Sequence, residues 1–316
     1  MSSSIIALEQ FARLADRRLD DVMENYLKPY QEMIGTIFGS MPLDKAFAEL
    51  YDVGQVPDIP VFTGKLDYLA VSPGYFTQIE PKEYAAGIQL QRKFKDDKQY
   101  AVFDDLQAGM MRAYGRVKEK AAAKLFNNAF ASTWDYMKSE EGVALCSTAH
   151  LTKSGAPTTT GFSNSGTSAL SKTSIMATAI LFRKFRDDIG ELYDSEPDTL
   201  VVPESLYYSA CEAVGFDAKT GASSDREPDS AHYGKINVLY KGFKVIPWRR
   251  LDESSTKNWF MLDSAMAKKF MVWIDRVKPE TNTKIDFETF AVKQSIYGRF
   301  GVGWRQWRGV YGHSVT

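Results

Sequence analysis

An unbroken apolar stripe between residues 103 and 125 constrains this chain more than any other feature. Its members recur every three or four residues, as on one face of an α-helix: Phe103, Leu106, Met110, Tyr114, Val117, Ala121 and Leu125. A helix of roughly thirty to thirty-five residues, at about 1.5 Å per residue, reaches about 50 Å. That length exceeds the width of a small domain, so we predict one long spine helix around which the rest of the fold is built.

Short apolar runs on both sides of this helix predict β-strands, which makes the fold class mixed α+β. Before the helix, Ile88, Leu90 and Phe94 alternate with polar residues, and the run at 66–71 precedes a Ser-Pro-Gly turn. We therefore expect a long β-hairpin or small sheet over residues 61–95. After the helix, we predict strands at 197–202, 236–245, 259–262, 269–274 and 289–300.

The remaining segments divide into helices and loops. Residues 4–27 have a helical period, and the Pro-rich stretch that follows, up to residue 60, suits an extended arm. Residues 152–174 are rich in Ser, Thr and Gly and predict a polar loop. A second amphipathic helix is marked by Ile175, Ala179, Phe182, Phe185 and Ile189, and a third starts after Pro203.

Composition excludes several classes of protein. The 40 acidic and 39 basic side chains nearly cancel, so no overall field draws the chain to nucleic acid or to an anionic membrane. Two distant cysteines, Cys146 and Cys211, suit a reducing compartment. The first apolar run is too short for a signal peptide, and no uncharged stretch approaches about 18 residues. We expect a soluble chain made in the cytoplasm, without membrane contact.

The loop from Gly161 to Ser168 has the glycine spacing of a phosphate-binding loop, but Thr167 stands where that motif needs lysine. No apolar strand runs into its first glycine either. The sequence therefore favours a flexible polar loop at this place, and we assign no cofactor-binding residues.

Cys146 and His150 lie four residues apart, as a thiolate and its base could, but nucleophilic catalysis also needs an orienting group and an oxyanion site. A buried thiol and a hydrogen-bonded histidine are the favoured interpretation. Two cysteines and the histidines His150, His232 and His313 show none of the paired spacings of zinc sites. We assign no catalytic and no metal-binding residues.

Three further groups of residues favour structural roles. The acidic pairs are interpreted as solvated helix surface or helix starts: Asp96 with Asp97, Asp104 with Asp105, and Asp187 with Asp188. Lys118, Lys120 and Lys124 are assigned to the exposed side of the spine helix. The C-terminal Trp304, Trp307 and Tyr311, interleaved with Arg305 and Arg308, favour core packing and subunit contact over stacking on single-stranded nucleic acid.

The order of these features resembles the major capsid proteins of tailed bacteriophages, specifically the Mu-like major head subunits, which have the Hong Kong 97 capsid fold. The resemblance spans most of the chain. It rests on Arg92-Lys93-Phe94 before the spine helix, on 145–150 (LCSTAH) before the Ser/Thr/Gly loop, on 197–203 (PDTLVVP), and on 290–301 (FAVKQSIYGRFG) before a tryptophan-rich end.

The resemblance implies five segments: an N-terminal arm (1–60), an extended β-hairpin loop (61–95), a peripheral domain with the spine helix (96–195), an axial domain (196–280), and C-terminal strands that return to the peripheral domain (281–316). It implies a non-enzymatic subunit that assembles through hexamers and pentamers, in the host cytoplasm, into an icosahedral virion shell. That shell encloses double-stranded DNA with weak, non-specific contact.

The implied partners are other copies of the chain and a portal, and the sequence leaves open whether a decoration protein binds. Scaffolding is expected from a separate protein, because the arm begins almost at Met1. Lys65, Lys82, Lys93 and Lys95 are candidates for the covalent crosslinks that some relatives form, but no spacing selects one. Two alternatives stay open at this point. One is an encapsulin-like compartment, against which the Mu-like C-terminal sequence argues, and the other is a hydrolase or transferase that uses Cys146 and His150.

Overall fold

The computed structural model describes residues 34–93, 100–215 and 237–316, and it has the mixed α+β architecture that the sequence predicts. Several predicted features lie outside the described residues: the helix at 4–27, the first half of the arm, Phe94, Lys95, the pair Asp96 and Asp97, and His232. In the described ranges, three β-sheets and four α-helices surround a shared hydrophobic core.

A four-stranded sheet carries the longest strands. Its order is β1-β10-β11-β4, with β1 at Gly39–Pro42, β4 at Lys82–Leu90, β10 at Met271–Ile285 and β11 at Val292–Trp304. The strands β10 and β11 pair antiparallel along most of their length, and β4 continues the sheet beside β11. Buried and exposed residues alternate along the first half of β11, which is the pattern of a strand with one covered face.

The spine helix α1 spans Tyr100–Asn127 and packs against this sheet. Its 28 residues extend about 42 Å, which confirms the prediction of one long helix. Of the predicted stripe, Met110, Tyr114 and Leu125 are buried, whereas Leu106 is exposed. Aromatic rings fill the space between helix and sheet: Tyr84 of β4 stacks on Phe300 of β11 at 4.4 Å between ring centroids.

A five-stranded sheet forms the second layer, in the order β6-β12-β9-β7-β8. Its strands are β6 (Ser165–Gly166), β7 (Thr199–Val202), β8 (Lys244–Pro247), β9 (Trp259–Leu262) and β12 (Val310–His313). Every residue of β7 and β9 is buried, which matches their continuous apolar sequences. The predicted strands at 197–202 and 259–262 are therefore confirmed.

Three shorter helices follow α1. Helix α2 (Lys172–Phe182) starts with a capping box in which Ser171 and Ser174 satisfy each other's backbone amides. The predicted stripe beyond Phe182 is not helical, because the chain turns there, although Phe185 remains buried. Helix α3 (Tyr207–Val214) follows a 3₁₀ turn, and α4 (Ser264–Phe270) is capped by Asp263, whose carboxylate accepts from two backbone amides.

The region at 61–95 differs from the predicted hairpin. Residues 66–71 form no strand, and β3 (Pro73–Ile79) and β4 do not pair with each other. Instead, β3 pairs with β2 (Ala48–Val53) and with β5 (Met137–Ser139) in a three-stranded sheet. The pairing prediction was wrong because the first strand of the hairpin lies in the stretch that the prolines assigned to the arm.

The prediction for residues 236–245 also needs correction, while the domain bounds stay a prediction. Within residues 237–245, the described part of the predicted strand at 236–245, strand structure starts only at Lys244, because the buried Asn237 side chain accepts from the Leu239 amide and fixes a turn. The segment 281–316 divides between two sheets, since β11 joins the four-stranded sheet and β12 the five-stranded sheet. The boundary drawn at residue 280 falls inside β10.

Candidate assembly surface

The antiparallel strands β2 and β3 form a ribbon whose two halves have opposite character. At its inner end, Ala48 pairs with Ile79 and both side chains are buried. Toward the other end, Tyr51 faces Phe76 and Val53 faces Pro73. The strands are joined by residues 54–72, here named the tip loop, which contain no helix or strand. The ribbon therefore carries a long connection out of the core.

The tip loop exposes an unusual amount of apolar surface. Six of its apolar side chains are each at least 61% exposed, namely Val56, Ile59, Val61, Phe62, Leu66 and Tyr68. Single exposed apolar residues are common on proteins, but six of them between residues 56 and 68 mark a surface that binds another molecule. The tip loop is therefore the strongest candidate for an assembly surface in the described part of the chain.

The base of the tip loop is fixed to the body of the fold. The Gly54 amide donates to the Ser72 carbonyl at 3.0 Å, which closes the loop at its root. The next amide, that of Gln55, donates to Asp188 Oδ1 at 2.8 Å. A Cβ at Gly54 would lie 2.3 Å from the Ser72 carbonyl oxygen, which is a backbone atom, so only glycine allows this approach. The loop leaves the fold from a defined anchor.

Polar and charged side chains near the C-terminus contact the strand that leads into the tip loop. Asp52 of β2 accepts a hydrogen bond from Gln306 and lies 4.0 Å from Arg305 Nε. Burial raises the pKa of the Asp52 carboxyl, although these partners oppose the shift. Arg308 is buried nearby, stacks on Trp307 and donates from Nε to the Arg186 carbonyl at 2.6 Å.

The acidic pair Asp187 and Asp188 is thus not solvated helix surface. Asp187 is buried, and its Oδ1 accepts from the amides of Ile189 and Glu191 in a turn, while Asp188 anchors the tip loop. The pair Asp104 and Asp105 lies near the start of α1.

In the described ranges, no three His, Cys, Asp or Glu side chains are grouped so that they could hold a metal ion.

The predicted exposed lysines of α1 divide into two kinds. Lys118 is buried, and its ammonium group lies over the rings of Trp273 and Phe300 and pairs with Asp275. The prediction was wrong for this residue because Lys118 follows Tyr114 by one turn, on the same face of the helix. Lys120 and Lys124 remain largely solvent-accessible.

Cys146 and His150 do not form a catalytic pair. The Cys146 thiol is buried, and burial raises its pKa, which disfavours the reactive thiolate. The two ring nitrogens of His150 are each 3.0 Å from another oxygen, Glu141 Oε1 and Asn164 Oδ1. Neither nitrogen is directed at the thiol, so the arrangement is that of a hydrogen-bonded core histidine.

The loop with phosphate-binding glycine spacing is an ordered part of the core. Asn164 is fully buried, and its amide donates to the carbonyls of Leu145 and Val310. The residues after it form β6, which pairs with β12. The prediction of a flexible loop is therefore wrong for 164–166, since one buried asparagine joins three distant segments.

The C-terminal aromatic residues belong to the core. Trp304, Trp307 and Tyr311 are all buried within the chain, so the prediction of core packing is confirmed.

Among the helices of the described ranges, none has the length and apolarity that crossing a bilayer requires. In the sequence analysis, strand β2, from which the tip loop leaves the fold, was assigned to the N-terminal arm. The dense apolar residues at 56–71 were a signal in the sequence for a binding surface.

Comparisons with known proteins agree with this architecture. A family model described as "Phage capsid protein" matches residues 74–312. The search of curated proteins found no match. The fold is similar to that of the capsid of Cyanophage P-SCSP1u, with a TM-score of 0.55, 11% identity, and coverage of 90% of this chain and 88% of that chain.

Two further solved structures show the same likeness. The mature capsid of bacteriophage PhiM1 matches with a TM-score of 0.52 and 12% identity, over 89% of this chain and 86% of that chain. The holo-SrpI encapsulin complex from Synechococcus elongatus PCC 7942 matches with a TM-score of 0.51 and 9% identity, over 92% and 88%. These likenesses show the Hong Kong 97-type capsid fold.

Proposed function

The chain belongs to the phage capsid protein family, and from this premise we propose that it forms the icosahedral head shell of a tailed phage through hexamers and pentamers. The family makes it a structural major capsid protein of the virion. The observation that carries the proposal is the tip loop. Its run of exposed apolar side chains is costly in an isolated subunit and is satisfied when neighbouring copies cover it.

The ribbon and the tip loop serve as the contact between subunits. A two-stranded ribbon with an exposed tip gains little stability on its own, so burial against a neighbour must contribute. A closed shell repeats that contact at every subunit and leaves no free edge. We assign the extended loop of the shell to residues 48–79 in place of 61–95, and we keep the arm before it, the peripheral domain around α1, and the axial domain with β7 to β9.

The remaining roles follow from the same proposal. The shell encloses double-stranded DNA with weak contact, since the near-balance of charge gives no strong grip on phosphate. It is assembled in the host cytoplasm with a separate scaffolding protein and carries a portal, whereas the binding of a decoration protein stays an open question. The segments at 145–150 and 290–301 support assignment to the Mu-like subtype.

The subunit has no enzymatic activity in this proposal. The buried thiol of Cys146 and the occupied ring nitrogens of His150 support that view. Thiol-dependent turnover by the purified protein would contradict it. An encapsulin-like compartment has the same fold, so its distinguishing property is the cargo rather than the architecture of the subunit.

The proposal is tested by negative-stain microscopy of the expressed protein, alone and together with the neighbouring phage genes. We expect closed particles of uniform diameter in at least one of these preparations. If both give only monomeric subunits or irregular aggregates, the shell function is wrong. Particles that enclose a co-expressed enzyme instead of DNA would favour the compartment.

A further inference from the structure

A small cleft lies between the spine helix and the four-stranded sheet. Its floor is formed by Val117 and Ala121 of α1 and Val302 of β11, and its volume is about 220 Å³. Pockets for drug-sized ligands measure roughly 300–1,000 Å³. The cleft is therefore too small for a typical cofactor, but it is large enough to receive one large side chain from another protein.

The rim of the cleft carries an excess of positive charge. Lys82, Lys120 and Lys124 border it, and Glu80 is the one acidic residue of its lining. Lys82 and Lys124 share the carboxylate of Asp135 nearby. Among the described residues, Lys120 has no ion-pair partner. The cleft thus combines an apolar floor with an unpaired cation at its edge, which suits an aromatic side chain next to a carboxylate.

The tip loop presents that combination. Tyr68 is 96% exposed, the highest value among the large hydrophobic side chains that are exposed in the described chain. Asp67 precedes it, and the tip loop contains two acidic residues, Asp58 and Asp67, against the single base Lys65. Tyrosine is enriched among residues that anchor protein interfaces, because it offers a large apolar ring and one polar group.

We propose that Asp67 and Tyr68 of one copy dock into this cleft of a second copy. The Tyr68 ring lies on the apolar floor, and the Asp67 carboxylate pairs with Lys120. None of the residues that line the cleft comes from the tip loop of the same chain. The inference rests on the proposed shell function, because only an assembled neighbour holds a tip loop at a fixed place beside the cleft.

Disulfide trapping tests this proximity directly. The variant Tyr68→Cys/Ala121→Cys is assembled, oxidised and run on a non-reducing denaturing gel. We expect a ladder of covalently linked chains that disappears on reduction, because each subunit carries both halves of the contact. The single variants Tyr68→Cys and Ala121→Cys are the controls. They should remain monomeric on the gel, since the native Cys146 and Cys211 are buried.

Charge reversal supplies a second test that keeps Tyr68. Asp67→Lys alone and Lys120→Glu alone should each lower the yield of closed particles about tenfold, and the combination should restore at least half of it. Lys257→Glu, at an exposed lysine that is not among the residues lining the cleft, should leave the yield unchanged. Rescue by the combined variant would support the docking even if the cysteine variant did not assemble.

The failures of the two proposals can be distinguished. Normal closed particles without the disulfide ladder, or without rescue by the combined charge reversal, would overturn the docking and leave the shell function intact. Absence of particles from the unaltered chain would instead count against the shell function itself.

Discussion

Lys118 of the spine helix and Asp275 of strand β10 form an ion pair of 3.1 Å, in which the two partners differ in exposure. The lysine side chain is 3% exposed, and the aspartate side chain is 29% exposed. We therefore expect Asp275→Ala to cost about 3–5 kcal/mol of unfolding free energy, because it leaves a buried ammonium group without its partner. Lys118→Met should cost less, about 1–2 kcal/mol, since water can reach the remaining carboxylate.

The two variants are compared by urea unfolding of unassembled subunits, with circular dichroism as the signal that monitors unfolding. Lys120→Met, on the exposed part of the same helix, serves as the matched control and should change the midpoint little. Equal losses for Asp275→Ala and Lys118→Met would contradict the asymmetry, and so would a greater loss for Lys118→Met.

Gly298 of β11 allows the spine helix to approach the sheet. A Cβ at this position would lie 2.1 Å from the Tyr114 hydroxyl oxygen and 3.1 Å from the adjoining ring carbon. Gly298→Ala should therefore destabilise the subunit by about 1–3 kcal/mol through overpacking. Tyr114→Phe removes the nearer atom, so the double variant should regain much of the loss. A double-mutant cycle with additive energies would show that the two residues are not coupled.

We expect His313 to make the stability of the subunit depend on pH. Its ring is buried, stacks on Trp259 and accepts at Nδ1 from the Ser168 amide at 3.1 Å. Burial lowers the pKa of His313 to about 4, below the ordinary value of about 6.5. As the pH falls, the unfolded chain binds a proton first. The contribution of the neutral ring is complete above about pH 6.5 and is lost progressively toward pH 4.

The test is the unfolding free energy of unassembled subunits between pH 7.5 and 4, for the native chain and for His313→Gln. The native chain should lose up to ~1.4 kcal/mol more per pH unit than the variant in the window from about 6.5 to 4. Parallel curves for the two proteins would show that His313 does not titrate differently in the folded and unfolded states.

Where local pattern and tertiary environment agree, the sequence was sufficient to predict the element. The spine helix was predicted because its apolar residues recur every three or four positions, and the buried strand β9 because all of its residues are apolar. Cys146 and His150 were interpreted as a buried thiol and a hydrogen-bonded histidine because spacing alone supplies no catalytic site, and both side chains are buried.

Features that depend on distant residues could not be predicted. Strand β3 pairs with β2, which precedes the tip loop in the chain. The sequence of β2 suits an extended arm, so this pairing could not be predicted. The position of Lys118 one turn after Tyr114 indicates the covered face of the helix, but its ion pair with Asp275, 157 residues later, could not be predicted. Asn164 lies in a polar run, and only its hydrogen bonds to Leu145 and Val310 show that it is buried.

The central claim is that the tip loop joins subunits and contributes nothing essential to the folding of its own chain. The structure defines the replacement that tests it, because the Gly54 amide and the Ser72 carbonyl already meet at the root. Residues 55–71 are exchanged for a short Gly/Ser linker, which leaves β2, β3 and β4 in place. A variant that only lengthens the loop by inserting Gly-Ser after Gly64 is the matched control.

The decisive measurement is electron microscopy of the 55–71 replacement, beside circular dichroism and thermal unfolding of the same preparation. We predict a cooperatively folded subunit that forms no closed shells or only loose capsomers, while the insertion control assembles. Normal, stable shells from the replacement protein would contradict the claim. An unfolded subunit would contradict it as well, because the tip loop would then belong to the core.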